Sequence, residues 1–183
     1  GKSGRNGNGF ETKPYLLKAL DKDGKAYTKA VQNGTESAED FDFAWGPHAP
    51  EILPNGNIIV FDNGVNRNFN DDNNYSRAVE YQIHEADKTV KQIWQFGKER
   101  GEAFYSSIIS DVDYLSNSNN ILITSGFITP KTNHNGKIIE IDYATGKEVF
   151  EATLYFKTLG GNKVAGWGQT DIMYRSERME LNY

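Results

Sequence analysis

Apolar positions in this chain come in short runs with a period of two, broken every few residues by Asn, Asp and Gly. Residues 51–64 read EILPNGNIIVFDNG and residues 113–126 read DYLSNSNNILITSG, and the two align without a gap at an offset of 62 (Glu51 to Asp113). Each begins on an acid, then has a Leu, a polar turn around Asn, an apolar run, a polar pair and Gly. That pattern predicts a β-hairpin. A second repeated pair follows. Residues 79–94, VEYQIHEADKTVKQIW, resemble residues 137–152, KIIEIDYATGKEVFEA, with Gln82-Ile83 opposite Glu140-Ile141 at an offset of 58 and Ala86 opposite Ala144. Each unit is therefore predicted to be two successive hairpins, giving four antiparallel strands.

Four-stranded antiparallel units repeated along a chain are the mark of a β-propeller, whose blades stack around a channel. A β-sandwich with accidental hairpin similarity is the competing architecture. The expected organisation is an irregular excursion over 1–43, blades over 44–105 and 106–156, and a tail over 157–183 whose strand closes the ring. Propellers close with about 4–8 blades, and two alone would leave long strand edges bare. The chain is thus expected to be a piece of a longer one rather than one of several assembling copies. Its start, residues 1–9, reads GKSGRNGNG, a linker or truncation point rather than a signal peptide.

Composition agrees with an all-β reading. Ten Tyr, ten Phe and three Trp among 183 residues supply bulky core material, and 18 Gly supply tight turns. Net charge is −5 with no basic run, which argues against a nucleic-acid partner, because phosphate neutralisation needs clustered cations. Cysteine is absent, so disulfides and thiolate metal sites are excluded. No run of about 18 apolar residues is present to span a membrane.

In a propeller the first strand of each blade lines the channel, and here that strand is 45–53, WGPHAPEIL. His48 stands at its start between Pro47 and Pro50-flanked Ala49, on backbone that the prolines should hold stiff and extended. The competing use is a partly buried structural histidine. His84, at a strand end, and His134, in the Asn-rich loop 131–136, are expected in solvent. At the offset of 62 His48 corresponds to Ser110, read either as a hydroxyl donor to an anion held by His48 or as a buried Ser bonded to backbone. Arg67 and Arg77 are the cations placed to reach such an anion, or else to bind a carboxylate nearby. The loop 62–77 holds many carboxylates and amides but no Asp-x-Asp-x-Asp-Gly calcium loop, so no metal site is assigned, and Asp62-Asn63-Gly64 is read as a pinning turn. Lys98-Glu99-Arg100 is assigned to surface salt bridges.

Four segments, in order and spacing, resemble the C-terminal blades of bacterial arylsulfate sulfotransferases. They are Pro47-His48-Ala49-Pro50; Phe61-Asp62-Asn63-Gly64 with Arg67 following; Tyr75-Ser76-Arg77-Ala78-Val79; and Gly97-Lys98-Glu99-Arg100-Gly101 followed by Phe104-Tyr105-Ser106. The resemblance implies a six-bladed propeller with a small N-terminal β domain, exported to the periplasm and often dimeric. It implies transfer of a sulfo group from a phenolic sulfate ester to a phenol without phosphoadenosine phosphosulfate or another cofactor. His48 matches the histidine that becomes transiently sulfated. The family's further active-site histidines and arginine lie on earlier blades, so the fragment alone is expected to be inactive. The family's cysteine pair before this strand is missing from residues 32–40, QNGTESAED, and its threonine from the last blade has no clear match. A non-catalytic propeller that binds a ligand or protein is the alternative function.

Overall fold

The structure, a computed structural model, describes residues 16–130, 134–156 and 171–179. Strands β2 (Pro47–Ile52), β3 (Ile58–Asp62), β4 (Arg77–His84) and β5 (Thr89–Phe96) form an antiparallel meander, and so do β6 (Asp111–Leu115), β7 (Asn120–Ile128), β8 (Asn135–Asp142) and β9 (Glu148–Tyr155). Both repeat units are therefore all-β hairpin pairs. The described residues form two open sheets and do not close a ring.

The first sheet carries a fifth strand where an irregular excursion was expected. β1 (Lys18–Ala19) pairs in parallel with β5, Lys18 beside Thr89 and Ala19 beside Val90. Its far side is covered by α1 (Lys29–Asn33), which Thr28 caps and Gly34 ends with φ +75°. The buried Gln32 amide completes the cover. Ala19 N donates to its Oε1 at 2.9 Å, and its Nε2 donates to Ala19 O at 2.7 Å, so the amide supplies what a further strand would. An otherwise bare sheet edge is closed in this way.

Period-two alternation divides the apolar residues of β3 between two cores. Ile59 and Phe61 face the second sheet and pack with Ala78, Phe96 and Phe104 against Val112, Ile121, Ile123, Ile139 and Ile141. Val60 faces the other way, with Val79, Tyr81 and Val90 against Val31, Phe41 and Phe43. The two faces also revise the repeat. Asn57 Nδ2 donates to Glu80 at 2.5 Å, and Asn120 Nδ2 donates to Glu140 at 2.5 Å, so these pairs are equivalent. Phe61, which faces the next sheet, then matches Thr124, which faces away from the first; the offset on this strand is 63, not 62. Glu80 rather than Gln82 is the partner of Glu140 in the repeat. The gapless alignment slips by one residue, and in a strand one residue exchanges the faces.

Residues 171–179 lie across that far face of the second sheet. Met173 N donates to Gly126 O at 3.1 Å, the Ser176 and Thr124 hydroxyls are 2.6 Å apart, and Arg178 pairs with Glu140 at 2.6 Å. None of these residues forms a strand, so the expected ring-closing strand is not present among the described part of the tail. A strand needs a free sheet edge to pair with, whereas this segment meets the sheet on its face. Among the described residues no helix is long and apolar enough to cross a membrane.

Tail docking depends on the missing side chain at Gly126, where an added Cβ would come within 1.8 Å of Met173 O. Gly126→Ala is expected to lift the tail off the sheet and speed tryptic cleavage at Arg175 and Arg178. Unchanged cleavage kinetics in a folded variant would contradict this contact.

Candidate functional site

His48 lies near the start of β2, exposed, and pairs in the ladder with Phe61. The strand is not stiff and extended there. Ala49 has φ +49°, and the register shifts between His48 and Glu51. Pro50 was expected to keep Ala49 extended; a β-bulge overrides that bias and re-aims the strand at His48.

The imidazole is held from behind. His48 Nδ1 is 2.6 Å from Asn63 Oδ1, and Asn63 is fully buried just past the end of β3. The Asn63 amide is itself anchored, Nδ2 donating to Ser106 O at 2.7 Å and to Ile109 O at 2.9 Å. Both carbonyls belong to the segment leading into β6. A histidine on the first sheet is thus fixed by the chain entering the second.

That segment is strained. Ile109 has φ +53° and Ser110 φ +91°, a region that costs a β-branched residue about 1–3 kcal/mol. Side-chain hydroxyls hold it in place. Ser110 Oγ donates to Ser106 Oγ at 3.0 Å and accepts from Gly126 N at 3.0 Å. Ser106 Oγ donates to Ile108 O at 2.8 Å and accepts from Phe127 N at 2.9 Å, while Ser106 N donates to Ser76 Oγ at 2.9 Å. Ser110 is buried, and its hydroxyl serves the backbone, matching the second of its two sequence readings rather than the anion donor. With the offset corrected, the residue equivalent to His48 is Asp111, one position further on.

Arg67 and Arg77 are also committed to the fold. Both are buried; Arg67 pairs with Asp42 and, at 2.9 Å, with Asp62, and Arg77 Nε meets Asp62 Oδ2 at 3.0 Å. Arg77 further donates to Gln92 at 3.0 Å, Gln95 at 2.6 Å and Asp42 O at 3.0 Å. The expected contact with a channel anion gives way to these carboxylates, because a buried guanidinium needs a fixed counter-charge. Burial works against the Arg67 charge, but Asp62 and Asp42 outweigh it and raise its pKa further. The Tyr75 ring stacks under Arg67, 3.8 Å from ring centroid to guanidinium carbon, and burial pushes its hydroxyl up to about 12.

His84 is exposed, as expected, but His134 is buried, its ring edge-on to Phe127 at 5.7 Å. Arg100 makes surface ion pairs with Glu148 at 2.5 Å and Glu151 at 3.0 Å, tying the connector to β9. Among the described residues no group of three or more His, Cys, Asp or Glu is arranged to hold a metal ion. Sequence reasoning missed Asn63 as a partner of His48 and the carboxylate pair Asp111 and Asp113, whose alternate spacing on a strand was its available signal. Asp113 is pushed up to about 6 by burial, then by the charges of Asp111 and Glu51 and a hydrogen bond with Asp111.

With this geometry in view, comparison with known proteins places the chain. The family described as arylsulfotransferase matches residues 4–167, and the chain belongs to it. The arylsulfate sulfotransferase AssT of Escherichia coli O6:H1 (strain CFT073) is 40% identical over 144 residues, covering 73% of this chain and 23% of that protein. The arylsulfate sulfotransferase AssT of Lelliottia amnigena is 40% identical over 140 residues, covering 71% of this chain and 23% of that protein. The chain thus matches less than a quarter of the length of these relatives.

Two outcomes test the charges around the site. Asp62→Asn leaves two buried arginines short of a counter-charge and is expected to cost about 3–5 kcal/mol in denaturant unfolding; a loss below about 1 kcal/mol would contradict the network. Asp113 binds its proton more tightly folded than unfolded, so its protonated form favours the fold. That contribution is complete below the ordinary carboxylate value of about 3.9 and is lost as pH rises through about 6. Asp113→Asn, uncharged throughout, should therefore gain stability over the parent between pH 4 and pH 7. Parallel stability curves across that range would refute it.

Proposed function

We propose that this chain is the nucleophile-bearing part of an arylsulfate sulfotransferase, a six-bladed β-propeller of which the two sheets are successive blades. Family membership and the printed names of the relatives support the activity. The observation that carries the assignment of His48 is its Nδ1 contact with a buried amide while the ring stays exposed on β2, the end strand of the first sheet. The blade reading is supported by the far face of the second sheet, which carries residues 171–179 where the equivalent face of the first sheet carries the second sheet.

In this reading the Nε2 lone pair of His48 attacks the sulfur of a phenolic sulfate ester. The N–S bond forms, the S–O bond to the aryl group breaks, and the phenolate leaves with the electron pair and takes a proton from solvent. An acceptor phenol oxygen then attacks the same sulfur, gives up its proton, and the N–S pair returns to Nε2. Dividing the reaction through a covalent intermediate gives ping-pong kinetics, and neither phosphoadenosine phosphosulfate nor a metal takes part. Charge on the sulfo oxygens requires donors, which would come from blades beyond this chain; Arg67, Arg77 and Ser110 serve the scaffold instead. Export to the periplasm and dimerisation complete the proposal.

The full-length protein provides the test. Incubation with a phenolic sulfate and no acceptor should add one sulfo group on His48, located by mass spectrometry under non-acidic conditions, and His48→Ala should abolish transfer while keeping the fold. Near-normal turnover by a well-folded His48→Ala protein would remove the mechanism.

A further inference from the structure

We propose that Asn63 is the positioning residue that sets the reactive tautomer of His48, and that the strained turn at Ile109–Ser110 orients Asn63 for this task. The inference rests on His48 being the nucleophile. It follows from counting donors and acceptors around one buried amide.

A carboxamide has two N–H donors and one acceptor oxygen, and the two ends look alike in shape. Here the ends are distinguished by their partners. Ser106 O and Ile109 O can only accept, and both lie within 2.9 Å of Asn63 Nδ2. The oxygen must therefore face His48, 2.6 Å from Nδ1, and it can only accept. His48 must then donate from Nδ1, which leaves the lone pair of the neutral ring on Nε2. The arrangement is the logic of a catalytic histidine whose partner selects its tautomer.

An amide differs from a carboxylate in one consequential way: it cannot take the proton. When Nε2 bonds to sulfur, the ring keeps Nδ1–H and becomes a cation. A cationic ring is the better leaving group when the acceptor attacks, so Asn63 keeps the sulfated intermediate ready to discharge. A carboxylate at this position could draw the proton away and leave a neutral, slower intermediate.

The turn explains why the amide cannot rotate. Ile109 and Ser110 at φ +53° and +91° bring Ile109 O to Asn63. Ser110 Oγ, Ser106 Oγ and Ser76 Oγ lock that turn to Gly126 N, Phe127 N and Ser106 N. Asn63 touches the substrate nowhere in this scheme and acts through His48 alone.

The decisive measurement reads the parent protein's own histidine. In full-length protein carrying 15N-histidine, the His48 signals, assigned by their loss in His48→Gln, should show a protonated Nδ1 and an unprotonated Nε2 in the neutral ring. The opposite tautomer overturns the inference. Single-turnover release of phenol from a chromogenic phenyl sulfate then reads the effect on rate. Asn63→Ala should slow the burst about 10- to 100-fold, with donor KM little changed, and Asn63→Asp should slow discharge of the adduct by added phenol at least as much. A burst within twofold of the parent in folded Asn63→Ala protein also overturns it, while a His48 adduct in the parent leaves the nucleophile reading standing. Absence of any His48 adduct in the parent sinks both.

Discussion

The Asp62 carboxylate is the contact on which the first sheet and the site both depend. It is fully buried and accepts from four N–H groups: Trp45 N at 2.7 Å, Gly64 N at 3.1 Å, Arg67 at 2.9 Å and Arg77 at 3.0 Å. These come from the approach to β2, the turn after β3, the following loop and the start of β4. Burying one carboxylate costs several kcal/mol unless its lone pairs are used, and here all four partners are fixed by the fold they help fix. The return is positional. The segment before His48, the turn carrying Asn63 and the first residue of β4 are brought to one point.

Asp62 and Asn63 are neighbours with opposite duties because a strand sends successive side chains to opposite faces. Asp62 points with Val60 towards the arginines, and Asn63 points with Phe61 towards the second sheet. Gly64 then has to turn the chain within 1.8 Å of Tyr75 O, measured from where a Cβ would stand, at φ +75°. A side chain there would move the turn, and the carboxylate and amide with it. The three residues Asp62-Asn63-Gly64 thus hold the ion network, the histidine and the turn in one short stretch.

Most of the fold was legible from period-two alternation and Asn/Gly turns, which located both meanders. The failures have physical causes. A gapless alignment cannot register the bulge at Ala49 or the turn between β6 and β7, which between equivalent ladder pairs is one residue longer than that between β2 and β3, so it paired His48 with Ser110 instead of Asp111. Arg67 and Arg77 look available in a polar loop because sequence does not display Asp42, which is distant along the chain but meets them in space. β1 and α1 were hidden because a two-residue strand leaves no periodicity, and Gln32 gives no sign that it will imitate a strand. Asn63 was visible only as a turn residue, since its partners Ser106 and Ile109 lie more than forty positions away.

The two sheets are covered on equivalent faces in the same way. On the first sheet, the face bearing Phe61 and Glu80 is covered by the second sheet, with Tyr143 reaching Glu80 at 2.6 Å. On the second sheet, the equivalent face bears Thr124 and Glu140, and Ser176 and Arg178 reach them. Glu80 and Glu140 are thus both anchored by an element lying outside their own sheet, one tyrosine and one arginine. The same packing relation recurs from the first sheet to the second, with an equivalent glutamate at its centre. It also explains why Gly126 occupies the position equivalent to Asn63. Where the first sheet presents an amide to the segment entering the next sheet, the second presents bare backbone to Met173. The repeat keeps the packing face but not the chemistry, so among the described residues the first sheet carries both the histidine and its amide.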